Sequence, residues 1–126
     1  MSARSEYQQA QRKYAKLVWE TQKTADGEPF SFDRHYYWRI VEKFYWPELE
    51  RVAVYLNHCD FDESTQGVLH ITDYSASGTR HVTVELSELY ACERKAKQAL
   101  LACRKEHVVR HQGYIDQFAR ELEKER

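Results

Sequence analysis

The chain contains few of the residues that interrupt regular structure. Its 126 residues include only four glycines and two prolines, so we expect short connections between the elements. It also has no internal repeat and no low-complexity tract. Because a chain of this length fits one domain with a sizeable hydrophobic core, we interpret residues 1–126 as a single domain.

Cysteine and long apolar runs are scarce as well. Cys59, Cys92 and Cys103 are odd in number and form no CxxC pair, which argues against a disulfide framework. The N-terminal segment lacks the apolar core of a signal peptide. No apolar run approaches the roughly 20 residues that a membrane-spanning helix needs. These absences predict a reduced, cytoplasmic protein with no membrane partner.

Neither sign of charge dominates the chain. The formal net charge is −1 at pH 7, which is too small to recruit nucleic acid or an acidic membrane through a global field. The charge is unevenly distributed, because residues 25–67 are acidic whereas both ends are mildly basic. We therefore expect the terminal segments to pack against the acidic middle of the same chain or of a second copy.

The short motifs of common active sites are also missing. The chain has no GxSxG nucleophile elbow and no glycine-rich phosphate loop. The segment from Asp60 begins like a calcium loop, but Thr65 stands where that loop needs glycine, and Ile71 where it needs glutamate. We expect no enzymatic activity and no cofactor.

One set of metal-ligating side chains remains as an alternative. Cys103, His107 and His111 are spaced four residues apart, so they share one face of a helix. Side chains at this spacing can bind one metal ion. The HVVRH segment lacks the glutamate of the HExxH zinc hydrolases. We expect these three residues to be packed rather than metal-bound, and we keep a small metal-binding protein as a minor alternative.

Apolar periodicity predicts the elements that follow one another along the chain. Residues 4–23 show apolar side chains at intervals of three and four, which indicates a helix. Asp33 is a suitable N-cap for a second helix over residues 33–45, which Pro47 would end. Residues 50–58 fit either a strand or a helix, and their β-branched and aromatic content favours the strand. Residues 67–86 alternate on both sides of a short polar turn, which predicts a hairpin.

The last predicted element is a long helix over residues 87–124. If unbroken, its 38 residues would span about 57 Å, longer than a compact domain of this size is wide. Its distal apolar stripe would need cover, so we predict a homodimer seam at Tyr114, Phe118 and Leu122. The alternative is a break at Gly113 that lets the tail fold back. The predicted fold class is α+β, with two N-terminal helices, a short antiparallel β-meander or hairpin, and a long C-terminal helix.

Aromatic side chains are concentrated in the segment DRHYYWRIVEKFYWPELERV, residues 33–52. On a helix, five apolar residues of this segment would form one core stripe: Tyr36, Tyr37, Ile40, Val41 and Phe44. Trp38, Tyr45 and Trp46 would then form a second face beside Arg39. Exposed Trp and Tyr beside Arg are typical of binding hot spots. The alternative is that both faces are packed in the core.

These observations predict a non-enzymatic protein-binding module that acts as an adaptor, regulator or inhibitor. A phage- or plasmid-type inhibitor of host machinery is one such module. Trp38, Arg39, Tyr45 and Trp46 would contact the partner, and an acidic loop would steer basic partners through Asp60, Asp62 and Glu63.

A dimeric winged-helix regulator that binds nucleic acid is the main alternative. It requires residues 47–58 to form a recognition helix. That segment contains two glutamates and one arginine, which is the wrong balance for binding phosphates.

Overall fold

Strands form the middle of the chain and helices form its two ends in the computed structural model, which describes residues 3–60, 66–75 and 78–125. Short 3₁₀ turns occupy Leu56–His58 and Leu86–Glu88. In chain order the main elements are α1 (Ala3–Trp19), β1 (Tyr36–Lys43), β2 (Trp46–Ala53), β3 (Cys59–Asp60), β4 (Val68–Ser75), β5 (Gly78–Glu85) and α2 (Glu93–Lys124).

The strands form two small antiparallel sheets. One is the β1–β2 hairpin, in which Tyr37 lies opposite Val52. The other has the order β3-β4-β5, with Leu69 opposite Val84. Alternate residues of an antiparallel strand point their backbone groups away from the partner strand. Trp38 is one of these, and its N–H and C=O bond the backbone of Tyr90 at 3.0 and 2.7 Å.

The fold is α+β with a long C-terminal helix, as predicted, but the second N-terminal helix was a wrong prediction. Residues 36–43 form strand β1. Short runs rich in aromatic and β-branched residues fit both a helical stripe and a buried strand. Residues 36–43 form a strand because Phe44 and Tyr45 turn the chain back on itself, so that β2 can pair with β1.

Pro47 neither ends a helix nor starts a new helical turn. It lies in β2. It lies opposite Glu42, next to the pair that closes the hairpin. Proline is tolerated where its backbone nitrogen faces away from the partner strand. Its carbonyl also faces outward, since it accepts a hydrogen bond from Nε of Arg104 at 3.0 Å.

The other predicted boundaries shift by a few residues. The segment 50–58 contains the end of β2 and a 3₁₀ turn, and the hairpin predicted over 67–86 corresponds to β4 and β5. The long helix begins at Glu93 rather than at residue 87, because Leu86–Glu88 form a 3₁₀ turn and Tyr90 pairs with β1. It passes through Gly113 unbroken and has 32 residues, a length of about 48 Å.

The core forms where α1 meets the second sheet. Trp19 is fully buried, and its Nε1–H donates to the carbonyl of Val68 at 3.1 Å. Of the apolar stripe predicted for α1, Val18 packs against this core, whereas Tyr7, Tyr14 and Leu17 are exposed. Around Trp19 the largest fully buried side chains are Phe30, Tyr37, Val54, Leu69, Val84, Leu86 and Leu89.

Asp26 joins the loop after α1 to the start of α2. Its carboxylate accepts backbone N–H groups from Ala91 at 3.1 Å and Cys92 at 2.9 Å, and it accepts the hydroxyl of Thr24. Burial disfavours the ionised form of Asp26, but the hydrogen bonds from Thr24, Cys92 and Ala91 outweigh that effect and lower its pKa. The folded protein is therefore stabilised by the charged carboxylate.

Neither helix in the described part of the chain is long and apolar enough to cross a membrane.

Replacing Asp26 with alanine should lower the free energy of unfolding by about 2 kcal/mol at pH 7, because three donors lose a charged acceptor. The folded pKa lies below the reference value of 3.8, so this contribution is complete above about pH 5 and is lost as the pH falls through the folded pKa. Urea unfolding at pH 7, 5 and 3 measures the difference.

Asp33→Ala is the matched control, since Asp33 is an exposed carboxylate that makes only a 3.7 Å ion pair with Lys16. We expect it to change stability by less than about 0.5 kcal/mol. A difference between wild type and Asp26→Ala that is the same at all three pH values would contradict the assignment.

Candidate protein-binding surface

The tip of the β1–β2 hairpin consists of two aromatic residues in an unfavourable backbone conformation. Lys43 pairs with Trp46, which leaves only Phe44 and Tyr45 to make the turn. Their φ angles are 53° and 62°, as a type I′ turn requires at both central positions. Such turns favour Asn-Gly, because most side chains cost about 1–2 kcal/mol per residue in this region, whereas glycine has no Cβ and asparagine can hydrogen-bond locally.

The two tip rings gain almost no packing in return for this strain. Phe44 is 98% exposed and Tyr45 is 85% exposed. Large apolar rings at a strained turn are unfavourable for the isolated chain, both in backbone energy and in hydration. Strained residues of this kind cluster at functional sites, so we take the tip as the candidate binding surface.

Trp46 fixes the base of this tip against α2. Its ring packs edge-on against His107, with the ring centres 5.3 Å apart, and the guanidinium of Arg104 lies over it at 5.3 Å. Arg104 also donates to the carbonyl of Pro47 and, at 3.2 Å, to the carboxylate of Glu48. The tip is therefore presented from a base held by side-chain packing and two hydrogen bonds.

Helix α2 leaves the hairpin at this junction and continues beyond it. A shallow groove of about 270 Å³ lies at the exit point, lined by Trp46, His107, Val108, His111 and Gln112. Every described residue from His111 onward is exposed. The exposed large apolar side chains of the helix are Leu101, Val108, Val109, Tyr114, Ile115, Phe118 and Leu122.

The aromatic and basic residues predicted to bind a partner have different surroundings in the structure. Tyr45 is at the tip and Trp46 is half-buried directly behind it. Trp38 and Arg39 lie on opposite faces of β1, because successive strand residues alternate. Trp38 is half-buried in β1, whereas Arg39 forms a 3.0 Å ion pair with Glu50 in which both side chains are largely buried.

The remaining predicted binding residues lie in two separate places. Asp60 is exposed at the end of β3, whereas Asp62 and Glu63 fall outside the described residues. Tyr114, Phe118 and Leu122, the predicted seam, are all exposed on the distal half of α2. The structure shows no contact from the described part of the chain that covers them.

The weak metal candidates Cys103, His107 and His111 follow one another along α2. His107 packs edge-on against the ring of Trp46. In residues 3–60, 66–75 and 78–125 no three His, Cys, Asp or Glu side chains are grouped so that they could hold a metal ion. Elsewhere in the described chain, burial and the neighbouring Asp60 raise the pKa of the Cys59 thiol to about 12.

Phe44 is the residue that sequence reasoning missed, since it was assigned to the core stripe of a helix. The signal for its true position is weak. Alternating runs flank it on both sides, but the two residues between them are Phe and Tyr instead of the Asn-Gly or Asp-Gly that marks a hairpin.

The winged-helix alternative requires a recognition helix over residues 47–58, and the structure has no such helix there. Residues 47–53 belong to β2, and only Leu56–His58 form a single 3₁₀ turn. The segment that would have entered the major groove is therefore a strand and a short turn.

Comparison of the chain with protein-family models, curated protein sequences and solved structures gives no match. The functional interpretation therefore depends on the geometry of the tip and of α2.

Replacing the tip with Phe44→Asn plus Tyr45→Gly should raise the free energy of unfolding by about 1–2 kcal/mol. The reason is that Asn and Gly adopt positive φ at little cost, and no packing is lost with the two exposed rings. Urea unfolding measured by circular dichroism is the test.

The matched control is Phe44→Ala plus Tyr45→Ala, which removes the rings but keeps a Cβ at both positions. Its stability should stay within about 0.5 kcal/mol of wild type, as for other exposed substitutions. A control that loses several kcal/mol would mean that the rings pack in the folded protein, contrary to the structure.

Proposed function

We propose that this protein is a non-enzymatic protein-binding module, an adaptor, regulator or inhibitor that inserts the Phe44–Tyr45 tip into an apolar pocket of its partner. The observation that carries the proposal is that two nearly fully exposed aromatic rings occupy a strained two-residue turn. A sequence selected only for folding would place Asn-Gly there. The aromatic pair is explained if the two rings contribute favourable free energy when they bind a partner.

The physical basis for affinity is preorganisation. Tyr and Phe offer large contact areas but have few rotatable bonds, so ordering them on binding costs little entropy. The type I′ turn fixes their backbone, and the junction of Trp46 with Arg104 fixes the base of the turn. A rigid aromatic anchor of this kind matches the hot spots that dominate protein interfaces.

The surroundings of the tip support a protein partner over other ligands. Phe44 and Tyr45 project from the surface, whereas small-molecule sites are concave and bury most of their ligand. A phosphate backbone would need a cluster of cations, but Lys43 beside the tip and Arg39 further along β1 already share the carboxylate of Glu50. All three cysteines are free thiols, which fits our proposal of a cytoplasmic setting.

A quantitative pull-down tests this proposal. The tagged wild-type chain and the Phe44→Asn plus Tyr45→Gly variant are compared in an extract of the cells that express the protein, with quantitative mass spectrometry. We expect the variant to recover at least one partner about tenfold less efficiently than wild type, the effect of losing about 1.4 kcal/mol of binding energy.

Tyr7→Ser is the control for loss of an exposed aromatic ring, since Tyr7 lies on α1 and is itself exposed. It should recover the same partner as efficiently as wild type. Equal recovery of every protein by wild type and by the more stable tip variant would show that the tip binds nothing, and it would end the proposal.

A further inference from the structure

We infer that two copies of this chain pair through antiparallel α2 helices, centred near Gly113, and that this pairing fills the groove beside Trp46 with the distal half of the second copy's helix. The inference is independent of the hairpin tip. It gives the predicted seam at Tyr114, Phe118 and Leu122 an orientation and a register.

Apolar residues recur every seven positions on the exposed side of α2. Leu101, Val108, Ile115 and Leu122 follow one another at intervals of seven, and all four are about half exposed. His111 and Phe118 lie three residues after Val108 and Ile115, at the second apolar position of such a repeat. On a straight helix a seven-residue repeat drifts around the axis by roughly 20° per repeat, and it stays aligned when the helix winds around a partner helix.

No described element of the same chain covers this stripe beyond the junction with the hairpin. From Leu101 to Leu122 the stripe extends about 32 Å. No described element packs on the helix beyond the junction with the hairpin, where every described residue is exposed. The internal segments outside the described ranges have at most five residues, a reach of at most about 18 Å. They are too short to cover the stripe.

Charge is unevenly distributed along the helix. Residues 101–112 carry three basic and one acidic side chain, whereas residues 114–125 carry four acidic and two basic ones. Glu48 of the hairpin reduces the basic surplus at Arg104 but does not reverse it. Antiparallel helices place the acidic half of one copy beside the basic half of the other, and parallel helices would place like charges together.

The register follows from the same repeat. With the centre at Gly113, Val108 of one copy is level with Phe118 of the other, and His111 is level with Ile115. Phe118 of the second copy then lies beside the groove that Trp46, His107 and Val108 line. Gly113 itself lies on the opposite side of the helix from the stripe, and a Cβ there would meet nothing within 4 Å, so the pairing does not require a glycine.

Light scattering and sedimentation equilibrium test the pairing in the full chain. Wild type should be a dimer at tens of micromolar. Val108→Asp should raise the dimer dissociation constant by about 100-fold or more, because each dimer would bury two carboxylates, each level with Phe118 of the other copy. Gln117→Asp, which puts the same side chain on the outer face, should remain a dimer and equally helical by circular dichroism.

Disulfide mapping tests the orientation. Cys92 and Cys103 are replaced with serine, and Cys59 is kept because it is buried. Val108→Cys and Phe118→Cys are then made in separate chains and oxidised mildly, alone and mixed. The antiparallel register predicts a 108–118 cross-link in the mixture and little cross-linking by either variant alone.

Each other result overturns the inference. A monomeric wild type removes the pairing, and a Val108→Asp dimer as tight as wild type removes the stripe from the interface. Cross-links formed efficiently by each single variant alone would show a parallel pair and contradict the charge argument. None of these results bears on the tip, whose pull-down can succeed or fail separately.

Discussion

The register of the β1–β2 hairpin is the constraint on which the rest of the structure depends. Lys43 lies opposite Trp46, so Phe44 and Tyr45 alone must reverse the chain, and both are forced to positive φ. The same register turns Tyr37 into the core and points the carbonyl of Pro47 outward to Arg104. A shift of one residue would exchange the two faces of the hairpin and break each of these contacts.

The hairpin and α2 stabilise each other at the junction of Trp46 and Arg104. Arg104 of the helix donates to the carbonyl of Pro47, one of the backbone groups on the outer edge of β2 that could otherwise pair with another chain. In return, the hairpin packs against the proximal half of the helix, where Leu100 is buried. The strain of the tip is offset elsewhere, by the core around Trp19 and Tyr37, and does not unfold the hairpin. This junction thus holds the short rigid tip and the long exposed stripe of α2 in one piece.

Much of the architecture could be predicted from periodicity, and the failures have definite causes. Long, strongly periodic segments such as α2, and the alternating pair that forms β4 and β5, carry enough signal to be assigned. Residues 36–43 do not, because eight residues rich in aromatic and β-branched side chains satisfy helical and strand periods equally well. The decision is made by long-range contacts, namely the pairing with β2 and the bridge between Trp38 and Tyr90.

The candidate site was predictable only in part, for the same reason. The amino-acid composition identified the aromatic segment, which includes Tyr45 and Trp46. The helical interpretation, however, placed Phe44 in the core and Arg39 on the surface. The alternation of the strand reverses both assignments, since Arg39 pairs with Glu50 and Phe44 is at the tip. No local pattern in the sequence predicts a type I′ turn made of Phe and Tyr, so the turn could be recognised only once the strand register was known.

The register itself can be measured directly by nuclear magnetic resonance. In an antiparallel pair the Hα atoms of opposed residues come into close contact at the positions that lack mutual hydrogen bonds. The account predicts Hα–Hα Overhauser contacts between Ile40 and Leu49 and between Trp38 and Arg51. Contacts shifted by one residue, or a run of successive amide–amide contacts typical of a helix over residues 36–43, would contradict it.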